Sequence, residues 1–404
     1  MWEKDININE VKEIRCRSTV YFGVGAITKI NDIAKDLKAR GLDKLVIVTG
    51  KGAYKKTGAW DHVQKALAAN NITYVHYDGV MPNPTTHQVD AAAKLAADFG
   101  AKAVLAIGGG SAIDAGKSVA VIMKYPNRTA AELYEFAFTP TEAAPIIAIN
   151  LTHGTGSEAN RFAVVSILEK DFKPAIAYDC LYPLYSIDDP ALMTGLSEEQ
   201  TRYVSIDAVN HVVEASTTKA ASPFAIDLAL SVVSLVAKYL PVALKDPKDL
   251  EARYFLAYAA LIAGISFDNG LLHYTHALEH PLSAVKPDLT HGLGLAVLLP
   301  GVVKYIYADR PNTLAAVLAP IAPALKGHKD EAEKAAKAVE KWLFSVGANK
   351  KLKDEGFTAQ DVDKLVNLAF TTPSLGLLLS VAPNNATKEI VKAIYSEALV
   401  PYNK

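Results

Sequence analysis

At residues 102–117 the sequence reads KAVLAIGGGSAIDAGK, an apolar run that is followed by three glycines and a helical stretch. Glycine lets the backbone approach a phosphate closely, and the free N–H groups at the start of the helix attract it. Ser111 and Asp114 also have the spacing of a capping box, so the same residues would suit a tight turn before a well-capped helix. We interpret the segment as a strand, a phosphate-binding loop and a helix, although it lacks the GxGxxG pattern of the ordinary dinucleotide fingerprint.

Similar units flank this segment. Apolar runs that predict strands are separated by amphipathic stretches near 58–70 and 86–99; the runs are 44–50, 73–80, 102–110 and 145–151. This alternation is typical of parallel βαβ units with helices on both faces of the sheet. After about residue 190 the strand pattern is replaced by helical spacing, over 198–219, 223–245, 249–283 and 330–345. The sequence predicts an α/β doubly wound parallel-sheet nucleotide-binding domain over 1–189 and an all-α domain over 190–404, with a ligand cleft between them.

Composition favours a globular protein with a small-molecule partner. The chain has 404 residues, half of them hydrophobic, and 42 Lys+Arg against 43 Asp+Glu give a net charge of -1. This balance provides no field that would attract nucleic acid or an anionic membrane.

Cys16 and Cys180 are the two cysteines, which argues against a disulfide framework and suits the cytoplasm. The start of the chain shows no signal peptide. The apolar run 255–267 is too short to span a bilayer, and a second run is broken by Lys238 and Pro241.

Two further segments bear on the cofactor. THGTGSE (152–158) follows the strand at 145–151 and is either a simple loop or a second set of phosphate donors beside the first, since neighbouring strand ends share one crevice. Gly50 and Lys51 end the strand at 44–50, where NAD enzymes commonly carry a carboxylate for the ribose. Glycine with nearby lysines would accept a 2′-phosphate, so NADP(H) is favoured, although a solvated basic turn would look the same.

The segment LLHYTHALEHPLSAVKPDLTHG (271–292) holds four of the ten histidines: His273, His276, His280 and His291. His276 and His280 have i, i+4 spacing, as do Asp207 and His211 upstream, so each pair shares one helix face. Buried, hydrogen-bonded histidines are one interpretation. The other is a divalent cation, which would satisfy several imidazoles at once. Nitrogen and oxygen ligands suit Fe(II), Zn(II), Mn(II) or Co(II), and the sequence does not rank these ions.

Together, GGGSAIDAGK, THGTGSE and the Asp/His series ahead of GLGLAVLLP resemble the iron-containing (group III) alcohol dehydrogenases over essentially the whole chain, and the NADP-dependent branch above all. The resemblance implies Fe(II) as the first candidate metal, held by Asp207, His211, His276 and His291. It implies that His280 is an unliganded imidazole beside the nicotinamide and the substrate. It also implies a set of cofactor-binding residues: Gly50, Lys51, Asn83, Gly108, Gly109, Gly110, Ser111, Asp114, Thr152, Thr155 and Lys173.

Two departures from the family pattern stand out. The gap from His280 to His291 looks one residue longer than usual, and His153 replaces a small residue in the second glycine loop. His273 has no role that the family assigns, and a surface position or a place behind the metal ligands is expected for it.

The sequence thus predicts a cytoplasmic, metal-dependent alcohol dehydrogenase or aldehyde reductase that uses NADP(H), with an architecture similar to that of dehydroquinate synthase. In such an enzyme the cation stabilises the alkoxide and His280 relays the proton. Short to medium primary alcohols and aldehydes are the expected substrates, and a homo-oligomer such as a dimer is allowed for. Two alternatives are kept. One is a cyclising synthase resembling dehydroquinate synthase, against which the helical half lacks an obvious Arg and Lys cluster; the other is a non-catalytic nucleotide or metal sensor.

Overall fold

The computed structural model describes residues 2–6, 10 and 12–402. The chain divides into two compact units, which we describe separately. The sheet unit comprises Cys16–Ser197 and Asp246–Leu261, and the helical unit comprises Glu198–Lys245 and Ile262–Lys404 together with the first fifteen residues. The predicted domain boundary between residues 189 and 190 stays a prediction.

The sheet unit is built on six parallel strands in the order β1-β8-β5-β4-β2-β3. Two further short strands, β6 and β7, form an antiparallel pair. The strands are β1 (Thr19–Phe22), β2 (Lys44–Thr49), β3 (Thr73–Tyr77), β4 (Ala103–Gly108), β5 (Ile146–Asn150), β6 (Phe162–Val164), β7 (Ala175–Ala177) and β8 (Tyr185–Asp188). All four strands predicted from the apolar runs are present.

Helices cover both faces of this sheet: α1 (Ile30–Ala39), α2 (Ala53–Lys56), α3 (Ala59–Ala69), α4 (Thr86–Phe99), α5 (Gly110–Ile122) and α6 (Ala130–Tyr134). Burial on both faces explains the apolar run LVIV (45–48) in β2. Val46 and Val48 lie in one hydrophobic cluster, whereas Leu45 and Ile47 lie in the other. Successive side chains of a strand point to opposite faces, so a strand with two covered faces needs apolar residues at every position.

The helical unit follows from residue 198. Its helices are α7 (Glu198–Ala215), α8 (Pro223–Lys245), α9 (Leu250–Gly270), α10 (Tyr274–Val285), α11 (His291–Ile306), α12 (Pro311–Val317), α13 (Ala332–Ser345), α14 (Val362–Thr371), α15 (Leu375–Ser380) and α16 (Lys388–Glu397). Residues 250–261 of α9 group with the sheet unit. The predicted fold class, a doubly wound α/β region followed by an all-helical region, is confirmed.

One sequence-based expectation about the helices is wrong, and one predicted helical segment is divided. The stretch 249–283 is two helices, because the chain turns at Leu271, which has a φ of 65° between α9 and α10. Pro241 does not break the apolar run, since α8 continues through it to Lys245.

Among the described residues, three helices are long and apolar enough to cross a membrane by length and composition: α8, α9 and the stretch His291–Asp309 that begins with α11. Between 44% and 78% of their most apolar windows is buried inside the structure. Much of this apolar surface therefore packs within the fold.

Candidate active site

The two glycine loops meet at the carboxyl-terminal edge of the sheet, because β4 and β5 are parallel neighbours. A Cβ atom added to Gly109 would lie 2.8 Å from both Oγ1 and Cγ2 of Thr152. One added to Gly110 would lie 2.5 Å from Cγ2 of Thr155. Only glycine therefore allows these threonines to approach the start of α5. The result is a backbone cradle with N–H donors and two adjacent hydroxyl-bearing side chains, which suits a phosphate.

Polar side chains brace the second glycine loop from behind. The buried Nζ of Lys117 donates to Oγ of Ser157 at 3.0 Å and to the carbonyl of Phe162 at 2.8 Å. The carboxylate of Asp114 accepts from Oγ of Ser157 at 2.6 Å and from the backbone N–H of Val164 at 3.0 Å. Burial raises the pKa of Asp114. Asp114, which the resemblance places among the cofactor ligands, thus holds the loop in this structure.

The other predicted nucleotide residues lie near the ends of the strands. Gly50 directly follows β2 and is half-buried, and Lys51 beside it is exposed. Ser111 is half-buried in the first turn of α5. Asn83 follows β3 with a φ of 52°, and Lys173 is buried just before β7.

His153 has a partner within the sheet unit. Its side chain is fully buried, and Nε2 accepts a hydrogen bond of 2.9 Å from Nη1 of Arg253, which is also fully buried. Burial, helped by the charge of Arg253, lowers the pKa of His153 to about 3. The neutral ring can therefore accept from the guanidinium, and the pair ties the second glycine loop to the first half of α9.

In the helical unit, three imidazoles face one carboxylate oxygen. Oδ1 of Asp207 on α7 lies 3.5 Å from Nε2 of His276 on α10 and 3.9 Å from Nε2 of His291, the first residue of α11. One turn along α7, His211 places Nε2 at 3.4 Å from the same oxygen. The His211 ring stacks on the His276 ring with centroids 4.7 Å apart. The ligand atoms of Asp207, His276 and His291 all lie within 4.8 Å of one another.

This geometry fits a divalent cation. Two ligand atoms with bonds of about 2.0–2.1 Å to one tetrahedral ion lie about 3.4 Å apart. The separations from Asp207 Oδ1 are 3.4, 3.5 and 3.9 Å. Oδ1 of Asp207 and Nε2 of His276 are buried without a hydrogen-bond partner among the described residues. Such atoms are costly unless something binds them.

Two carboxylates that the sequence analysis did not single out lie behind the imidazoles. Glu214 contacts Nδ1 of His276, and Glu279 contacts Nδ1 of His291. Both glutamates are fully buried. The other oxygen of Glu214 accepts from the backbone N–H of Thr275 at 2.7 Å and so also stabilises the start of α10. Carboxylates in this position fix the tautomer and orientation of a metal-binding histidine.

A signal for these glutamates is present in the sequence. Glu214 follows His211 by three residues on α7, and Glu279 follows His276 by three residues on α10. Residues three apart share a helix face, so each glutamate had to face the same interior as the ligands.

The remaining two histidines of 271–292 lie beside the ligand set. His280 is buried, with ring centroids 6.4 Å from His276 and 6.0 Å from His291. Of the two places expected for His273, the surface is wrong, because this residue is fully buried. It lies behind the proposed ligands, since its backbone N–H donates to Glu214 at 3.0 Å. Its Nδ1 accepts from the backbone N–H of Tyr274 at 2.7 Å and caps α10, while Nε2 contacts Oγ1 of Thr217 at 2.9 Å.

The buried charges of the site favour a cation. Burial opposes ionisation of Asp207, but the neighbouring imidazoles outweigh it and lower the pKa to about 2. Burial also opposes protonation of His276, but Glu214 and Asp207 raise its pKa to about 9. For His211 burial prevails and lowers the pKa to about 4. Asp207 therefore stays ionised, and together with Glu214 it holds a proton on His276 that a bound cation would displace from Nε2.

Two family models match the chain in succession. The model of iron-containing alcohol dehydrogenases matches residues 17–190, and that of the C-terminal region of the Fe-containing alcohol dehydrogenase family matches residues 201–399. The chain belongs to the iron-containing alcohol dehydrogenase family. The predicted function as an alcohol dehydrogenase is thereby confirmed, and the matches do not support the synthase and sensor alternatives.

Relatives of this alcohol dehydrogenase cover nearly its full length. The long-chain primary alcohol dehydrogenase AdhA of Thermoanaerobacter ethanolicus is 58% identical and aligns over 98% of this chain and 100% of its own. The solved structure of an archaeal halo-thermophilic alcohol dehydrogenase from a Red Sea brine pool is 27% identical, with a TM-score of 0.88 and coverage of 97% of this chain and 100% of its own. The NADH-dependent butanol dehydrogenase A of Thermotoga maritima is 29% identical, with a TM-score of 0.88 and coverage of 97% and 99%. The family implies a metal, a nucleotide cofactor and small alcohol or aldehyde substrates.

Proposed function

We propose that this alcohol dehydrogenase holds a divalent cation through Asp207, His211, His276 and His291, and that Fe(II) is the resident ion, ahead of Zn(II), Mn(II) and Co(II). The observation that carries the proposal is the approach of three imidazole Nε2 atoms to one carboxylate oxygen at 3.4–3.9 Å. Nitrogen and oxygen donors without thiolate suit this group of ions, and supply in the cell decides among them.

The cofactor that we propose is NADP(H). Gly108–Ser111 would receive the diphosphate at the start of α5, with the side chains of Thr152 and Thr155 against Gly109 and Gly110. Support for the 2′-phosphate comes from Gly50 and Lys51 after β2, where a carboxylate would repel it. Asn83 and Lys173 stay predicted cofactor ligands. Asp114 would act indirectly, through Ser157. The butanol dehydrogenase of Thermotoga maritima is named for NADH, so the choice of cofactor needs a direct measurement.

The bound cation supplies Lewis acidity, which lowers the pKa of an alcohol hydroxyl. The residues of this chain would orient the ligands and accept the proton. Glu214 and Glu279 keep two of the ligand imidazoles oriented. His280, which lies beside the proposed ligands, would take the proton of the hydroxyl while the carbon that bears the hydroxyl gives a hydride to the nicotinamide.

Primary alcohols and the matching aldehydes are the proposed substrates. Phe267 packs against the His211 ring with centroids 4.5 Å apart and gives the metal centre an apolar neighbour. The expected preference for short to medium chains stays a prediction, and the name of the Thermoanaerobacter relative extends the range to be tested to long chains. We also infer a cytoplasmic enzyme, and a dimer is the oligomeric state to test first.

The decisive experiment is anaerobic reconstitution of metal-stripped protein with each of the four ions. Oxidation of NADPH and of NADH is then followed with a series of straight-chain aldehydes. We expect turnover to require the ion and to prefer NADPH. Equal turnover in stripped protein would overturn the metal proposal, and a clear preference for NADH would overturn the cofactor proposal.

A further inference from the structure

Glu279 is a buried carboxylate with a specific position on α10, between His276 and His280. One of its oxygens contacts Nδ1 of His291, and the other contacts Oγ of Ser283 one turn further along the helix. The side chain is fully buried. An ionised carboxylate is expensive to bury, so its proton donors have to be well placed.

The neighbouring helix makes room for this side chain. A Cβ atom on Gly294 of α11 would lie 2.8 Å from Cγ of Glu279 and 3.3 Å from Oε1. Glycine at this position therefore lets α11 pack over Glu279 and brings His291, three residues earlier, within reach of the carboxylate.

The two glutamates of the site have different partners. Glu214 accepts from Nδ1 of His276 and also from backbone N–H groups at the start of α10. Glu279 contacts the side chains of His291 and Ser283. His291 is also the most exposed of the four proposed ligands, with 27% of its side chain accessible against 4 or 5% for the others. Its ring is thus the least restrained by packing.

We propose that Glu279, held by Ser283, is a positioning residue for His291 and sets the affinity of the metal centre. By accepting the proton on Nδ1, the carboxylate fixes the tautomer whose Nε2 lone pair faces Asp207. It also holds the ring at the first residue of α11, where the helix backbone alone does not restrain it. The inference rests on the proposed ligation of a cation by His291.

The test measures metal binding without turnover. Stripped full-length protein is titrated with Co(II) against a chelator, and the Co(II) absorption spectrum reports the ligand geometry. Glu279→Ala should weaken binding by roughly 10- to 100-fold and alter the spectrum, because partners behind metal ligands typically contribute that much. Glu279→Gln should lose less Co(II) affinity, since its amide oxygen can still accept a hydrogen bond from Nδ1 of His291. Ser283→Ala should also lose less, because it leaves the carboxylate in place.

Glu340→Gln is the matched control, because Glu340 is equally buried but contacts Lys351 and Tyr402. Its Co(II) affinity should equal that of the wild type. Wild-type affinity in Glu279→Ala would overturn the inference; if that variant does not fold, wild-type affinity in both Glu279→Gln and Ser283→Ala would do so. His291→Ala distinguishes failure of this inference from failure of the proposed function. If this variant retains the full affinity for Co(II), His291 is not a ligand and the proposed ligation itself is wrong.

Discussion

The close contact between Gly109 and Thr152 predicts that a single methyl group will weaken dinucleotide binding. In Gly109→Ala the new Cβ would lie 2.8 Å from two side-chain atoms of Thr152. Non-bonded carbon atoms settle at about 3.5–4.0 Å, so the two loops must separate by roughly 0.7–1.2 Å. Adding a methyl group to a well-packed site costs about 1–3 kcal/mol.

This cost should appear in binding. The free protein can relieve the contact by opening the two loops, whereas the bound diphosphate needs them closed. We expect the Kd for NADPH, measured by fluorescence titration, to rise by about 5- to 150-fold. In Gly109→Ala/Thr152→Ala the nearest remaining atom of residue 152 is Cβ at 3.4 Å. The double variant should therefore bind as well as Thr152→Ala alone.

Gly116→Ala is the control for general damage to α5. Its Cβ would lie 2.8 Å from Cβ of Ala106, where α5 packs on β4, so the Tm should fall while the Kd for NADPH is kept. Wild-type affinity in Gly109→Ala would refute the assignment of this loop to the dinucleotide. Equal losses in Gly109→Ala and in the double variant would refute the role of the contact with Thr152.

Three further predictions concern the metal, the cofactor and pH. His276→Ala should lose bound metal, measured by elemental analysis, together with turnover, whereas His280→Ala should keep the metal and turn over more slowly. Equal metal loss in both variants would contradict the assignment of His280 as an unliganded residue. Gly50→Asp should lower kcat/KM for NADPH relative to NADH, and an unchanged ratio would contradict the 2′-phosphate argument. Burial, helped by the charge of Asp114, raises the pKa of Glu158 from 4.5 to about 7. Because the folded pKa exceeds the unfolded one, this contribution to stability is complete below about pH 4.5 and is lost as the pH rises through 7. Glu158→Gln should flatten the dependence of Tm on pH over that range. An unchanged slope would show that Glu158 does not cause the pH dependence.

Three of the four strands predicted from sequence have both faces covered; the fourth, β3, is an edge strand with an exposed Thr73 and half-buried residues. Strands β2, β4 and β5 each have five or six buried residues in succession, which produces an unbroken apolar run. Strand β1 lies at the edge of the sheet, with Thr19 exposed and its other residues half-buried, so its sequence shows no such run. Its pairing with β8 joins residues more than 160 positions apart, which no local pattern can reveal.

The proposed metal centre could be predicted from sequence only in part, for a related reason. The helical spacing of Asp207 with His211 and of His276 with His280 is local and can be read directly. For Glu214 and Glu279 the sequence shows only that each lies on the same helix face as a histidine; it does not show which imidazole each contacts. Which histidine Glu279 would contact depends on the turn between α10 and α11, and that turn places His291 against it.

Glycine contributes to both sites in a way that a motif alone does not express. In GGGS the missing side chains suit a phosphate, but the structure shows that Gly109 and Gly110 also make room for threonines from the neighbouring loop. The HGLG sequence at the start of α11 works similarly: a Cβ on Gly292 would lie 2.2 Å from the carbonyl oxygen of Tyr203 on α7. A larger residue there would push α11 away from α7 and would carry the adjacent His291 away from Asp207. The separation of the proposed metal ligands thus depends on helix packing as much as on the ligands themselves. Substitutions of Gly292 should therefore weaken Co(II) binding in the same titration, although all four proposed ligands are still present.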